Sequence, residues 1–150
     1  MAIRSVRKLL IVTALAVLPS VAIAETPMSR VVDGIAVYFG IVPAGLVRGH
    51  PPTHPEGTMH GGVPVGQSHI MIALFDDKTG KRIENAEVKA RVTAGGVDVQ
   101  KSLEPMVIAG SLTYGNYYSL PGNGPYRITV RFRVAGAARE RVAEFVWARS

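Results

Sequence analysis

Hydrophobic and polar positions alternate along most of this chain with the period of a strand. Ile35-Ala36-Val37-Tyr38-Phe39-Gly40-Ile41 is β-branched and aromatic, as in a buried strand, and Pro43 and Gly45 end it. His69 to Phe75 is the next strand, closed by the turn Asp76-Asp77-Lys78-Thr79-Gly80. Ala86, Val88, Ala90 and Val92 then alternate with Glu87, Lys89 and Arg91, which predicts a half-buried strand. Gly95-Gly96 turns the chain into a strand over 97–103, and Tyr114 to Leu120 forms another. After the turn Pro121-Gly122-Asn123-Gly124-Pro125, the apolar positions Tyr126, Ile128, Val130, Phe132 and Val134 alternate with Arg127, Thr129, Arg131 and Arg133. Gly136 marks a turn, and the last strand, Val142 to Trp147, carries apolar residues on both faces. No segment keeps a helical period. Short strands separated by turns predict a single all-β, antiparallel sandwich of immunoglobulin-like form.

The N-terminus is of another kind. Arg4, Arg7 and Lys8 precede an apolar run from Leu9 to Leu18, and Ala22-Ile23-Ala24 is a small-x-small cleavage site. Residues 1–24 read as a cleaved signal peptide of bacterial style, with the sandwich in 25–150 and a periplasmic destination. The apolar run is too short to span a bilayer comfortably, and no other stretch is long enough, so no membrane span is expected in the mature chain. Without Arg4, Arg7 and Lys8, the 17 Lys and Arg become 14 against 11 Asp and Glu, a net charge of +3. That is mild, and no basic stripe interleaves with aromatics, which argues against nucleic acid. With no cysteine there is no disulfide, so stability rests on the core, on pairing or on a bound metal. The arginines of the Tyr126–Val134 strand read as a solvated face, with an anion or a partner as the sharper alternative.

Chemistry concentrates between His50 and Met71. All four histidines (His50, His54, His60, His69) and two of five methionines (Met59, Met71) lie there, in a His-, Met-, Pro- and Gly-rich loop near 48–66 and the strand after it. Imidazole with thioether and no thiolate suits copper, with iron or zinc ranked behind it. Residues two apart on a strand share a face, so His69 and Met71 stand side by side while Ile70, Ile72 and Leu74 face the core. Pro105 is expected to break the strand before it, leaving Met106 on a loop.

Pro105-Met106-Val107, then Tyr114-Gly115-Asn116, Leu120, Gly122, Gly124, Tyr126 and Ile128, resemble the periplasmic iron-transport family. The resemblance is good over the second half of the mature chain and loose over the first. It implies a small secreted immunoglobulin-like protein that binds copper, accompanies an inner-membrane iron permease and pairs as a homodimer. His69-Ile70-Met71 falls where the family carries His-x-Glu. Three departures stand out: Met71 replaces the Glu, Thr113 replaces the His before Tyr-Gly, and no histidine follows His69. His69, Met71 and Met106 remain as metal ligands, with His60 and Met59 upstream able to complete the set. Such a set favours Cu(I) over Cu(II) and ferrous iron.

These residues leave three classes of function. The first is a non-catalytic periplasmic metal-binding protein for copper or iron handling. The second is an immunoglobulin-like interaction module of the cell envelope with no metal. An enzyme ranks last, because adjacent Ser68 and His69 face opposite ways on a strand and no hydrolase or metalloprotease motif occurs. Convergence of His69, Met71 and Met106 on one spot separates the first from the second.

Overall fold

A computed structural model of the chain describes residues 27–43, 66–108 and 110–149. The signal peptide read in residues 1–24, and the loop with His50, His54, Met59 and His60, lie outside the described residues. The described residues form eight antiparallel strands: β1 Ser29–Val32, β2 Ile35–Pro43, β3 Gln67–Asp76, β4 Ala86–Ala94, β5 Val97–Ile108, β6 Ser111–Ser119, β7 Tyr126–Val134 and β8 Arg141–Trp147. Among the described residues there is no helix, and so none long and apolar enough to cross a membrane. The strands form one ladder in the order β1-β2-β3-β6-β5-β4-β7-β8.

The ladder folds into two layers because β5 belongs to both. From Val97 to Leu103 it pairs with β4, and from Glu104 to Ile108 it pairs with β6. The inner faces then meet. Phe39 of β2 stacks on Phe145 of β8 at 5.2 Å between ring centroids. The Tyr118 hydroxyl of β6 donates to the Ala90 carbonyl of β4 at 2.8 Å. At the outer ends, the Arg30 guanidinium of β1 donates to the Glu144 carbonyl of β8 at 3.3 Å. The predicted alternations define the core: Ile70, Ile72 and Leu74, then Val88, Ala90 and Val92, then Tyr126, Ile128, Val130 and Phe132 are all buried. Each large side chain among them contributes roughly 1.5–3 kcal/mol. The outer arginines of β7 pair across strands, Arg127 with Glu144, Arg131 with Glu140 and Arg133 with Glu87. All are well exposed, which is the solvated face the alternation predicted.

Three details differ from the sequence reading. β1 is an added strand, too short and too exposed to carry a pattern. β6 begins at Ser111, three residues earlier than expected. β5 does not stop at Pro105 but runs to Ile108, so Met106 is a strand residue rather than a loop residue. The reason is the change of layer. Past Leu103, β5 keeps β6 as its one neighbour among the described residues, and a proline is tolerated where one side of a strand is open.

Two buried tyrosines make stability sensitive to alkali. Burial raises the pKa of Tyr118 well above its ordinary 10.0, and burial likewise raises that of Tyr114, whose hydroxyl oxygen accepts from the Ala86 N–H at 3.1 Å. A folded-state pKa above the unfolded one means stability that is complete below the unfolded value and lost as pH climbs through it toward the folded value. Urea midpoints should therefore hold to about pH 9 and fall by about pH 11. Tyr118→Phe should lose roughly 1 kcal/mol at neutral pH with the Ala90 hydrogen bond, and should flatten the alkaline fall. An equally steep fall in that variant would place the sensitivity elsewhere.

Candidate metal centre

β3 sets the site through its alternation. With Ile70, Ile72 and Leu74 inward, His69 and Met71 stand on the outer face of their layer. Residues paired across antiparallel strands share a face, so the register extends this surface. His69 lies between Val42 of β2 and Tyr117 of β6. Met71 lies between Gly40 and Gly115, Gly115 pairs onward with Glu104 of β5, and Met106 pairs with Thr113. His69, Met71, Gly115, Glu104 and Met106 thus form one patch across three strands.

The histidine is on an outer face yet 0% exposed, and Met106 is only 4% exposed. Tyr117 stacks on the imidazole with centroids 4.6 Å apart and planes at 27°. Tyr117 is itself held: its carbonyl accepts from the Lys101 ammonium at 2.6 Å. Next to it, the Asn116 side-chain amide donates to the Ser102 carbonyl at 2.9 Å and ties β6 to β5.

Gly115 is the focus. A Cβ built on it lies 2.6 Å from Met106 Cε and 2.7 Å from His69 Nε2, with the Ile70 carbonyl oxygen at 3.0 Å. Real contacts are not that short, so any side chain here collides with both. The imidazole nitrogen and the end of the thioether converge on a space that only glycine leaves open. Met71 is flanked by glycines on both sides, and its Cε lies 3.6 Å from the Cβ position of Gly40. Its thioether has room to turn, as an unbranched side chain with three rotatable bonds does. The Thr113 hydroxyl opposite Met106 is buried with no hydrogen-bond partner among the described residues.

His69 and Met106 therefore meet, and Met71 adjoins them on the same face with its methyl turned toward β2. His60 and Met59 lie outside the described residues. Sequence reasoning used Gly115 only as part of the Tyr114-Gly115-Asn116 motif and gave no site role to it, to Tyr117 or to Glu104. A glycine inside an alternating strand signals close approach of another group, and that cue was available for Gly40 and Gly115. Among the described residues, no three His, Asp or Glu side chains gather in one place. The described donors that meet at Gly115 are an imidazole and a thioether side chain, and nitrogen with thioether donors fits a copper ion.

Fold and site together define a class: a small eight-stranded β-sandwich with an imidazole and thioether cradle on the outer face of one layer. No family model matches the chain, and no curated protein matches it in sequence. Solved structures match it in fold. A copper-bound variant of Campylobacter jejuni P19 superposes with a TM-score of 0.65 at 11% identity, covering 83% of this chain and 95% of that one. FetP of uropathogenic Escherichia coli strain F11, recombinantly expressed in the periplasm of E. coli, gives 0.64 at 11% identity over 82% and 93%. A DUF4426 family protein from Pseudomonas aeruginosa PAO1 gives 0.62 at 10% identity over 81% and 96%. The chain has the fold of FetP and P19.

Proposed function

We propose that this protein binds copper in the periplasm, preferring Cu(I), and handles the metal without catalysis. The observation that carries the reading is the approach of His69 Nε2 and Met106 Cε to one point above Gly115. The glycine lets the imidazole and the thioether side chain come together on a face where both are almost fully buried. Convergence is what separates a metal site from an interaction module. His69 and Met106 are the fixed ligands, both buried on strands, and Met71 supplies a second thioether. Copper-bound structures of P19 and of a FetP variant share the fold, which supports copper over other metals. A role as accessory to an inner-membrane metal permease is what the family resemblance implies, and the periplasmic location is what the signal peptide read in residues 1–24 implies.

Competition titration of the mature protein against a Cu(I) chelator tests the reading. Cu(I) should bind more tightly than Cu(II), ferrous iron or zinc. Oxidising the methionines should weaken Cu(I) binding, since a sulfoxide replaces a soft sulfur by a polar group. Displacement of copper by equimolar zinc or iron would overturn the assignment.

A further inference from the structure

The row of paired residues through the cradle is Met71, Gly115, Glu104, one on each of three adjacent strands. Glu104 and Met71 flank the empty glycine from opposite sides, each about one strand spacing, ~5 Å, away from it. A carboxylate and a thioether both cover that distance. The other two sides are taken by the imidazole and by Met106. Gly115 therefore has the His69 imidazole and the Met106 side chain against it, with Met71 and Glu104 as its paired neighbours on the two adjacent strands.

Two more features favour Glu104 as a donor. It is exposed, whereas His69 and Met106 are buried. It stands just where β5 leaves β4, on the same face of the layer as Gly115 and Met71. Pro105 lies between Glu104 and Met106 and fixes φ there, which holds the two donors in a constant relation on one face. That gives the strand proline a purpose beyond being tolerated.

We infer that Glu104 is a fourth ligand that engages Cu(II), so that one cradle holds copper in both oxidation states. Softness divides the work. Thioethers select Cu(I), a carboxylate oxygen suits the harder Cu(II), and imidazole serves both. His69 and the methionines hold Cu(I) by themselves. Cu(II) draws the carboxylate inward over Gly115. The inference rests on the copper reading above and adds a residue that departs from the His and Met set.

Glu104→Gln keeps the shape of the side chain and removes its charge. The test is titration of the mature protein and of this variant with Cu(II), followed by electron paramagnetic resonance, and with Cu(I) against a chelator. Cu(II) affinity should fall on the order of tenfold or more and the resonance spectrum should change, with Cu(I) affinity unchanged within about twofold. A Cu(II) affinity and spectrum identical to the parent's would overturn the role of Glu104. If Cu(I) binding still depended on His69, the copper reading would survive that result. A parent protein that binds neither oxidation state would remove both.

Discussion

Replacing His69 with alanine is expected to abolish tight copper binding while the protein stays folded. The imidazole is the one nitrogen donor at the cradle among the described residues, and Met106 closes it from β5. Loss of a residue that merely orients a ligand typically costs on the order of 10–100-fold in metal affinity. Loss of His69 itself should exceed that, and Met106→Leu, which keeps the bulk and removes the sulfur, should approach it. His69 is buried, so its truncation leaves a cavity and a stability cost of roughly 1–3 kcal/mol, which circular dichroism and a thermal melt separate from loss of metal. The control is the His50→Ala, His54→Ala double variant, expected to bind copper as the parent does. If His69→Ala bound copper like the parent while the double variant did not, the strand-borne site would have to be abandoned for the loop.

The second large effect comes from adding an atom rather than removing one. Gly115→Ala puts a methyl group where the imidazole and thioether converge, 2.6 Å from Met106 Cε and 2.7 Å from His69 Nε2. Both ligands must turn away, and the metal's place is filled. Copper affinity should fall on the order of 10–100-fold, the size seen when ligand orientation is spoiled. Stability should fall as well. The buried His69 ring stacked on Tyr117 and the Ile70 carbonyl oxygen at 3.0 Å cannot give way as the Met106 methyl can. That outweighs the roughly 0.5–1 kcal/mol that alanine gains over glycine in a strand interior. A thermal melt of the variant separates this from the loss of metal. Gly40→Ala, by contrast, meets only the Met71 methyl at an ordinary 3.6 Å and should leave affinity within a few-fold of the parent, about 1 kcal/mol or less. A Gly115→Ala protein that bound copper normally would show that the metal does not sit on the cradle.

The layers were legible in the sequence because β3, β4 and β7 each have an alternating face. Ile70, Ile72 and Leu74 could be assigned inward, and His69 and Met71 outward, from period two alone. Proline misled the reading at Pro105, because a strand that changes layers has an open side that local pattern does not reveal. β1 carries only four residues, all but one fully exposed, and has no alternation to read. The cradle was only half legible. That His69 and Met106 share a site could be suspected from residue type. That they meet over Gly115, with Glu104 beyond it, depends on the registers of β3 with β6 and of β6 with β5, which are long-range facts. Tyr117 read as one more strand residue, and its stacking on His69 likewise follows from register.

The most direct test of the central claim is X-ray absorption at the copper edge on Cu(I)-loaded mature protein and its Met106→Leu variant. The account predicts a mixed shell of nitrogen and sulfur neighbours in the parent, with the sulfur contribution reduced in the variant. A shell of nitrogen and oxygen alone, or a sulfur contribution untouched by Met106→Leu, would contradict it.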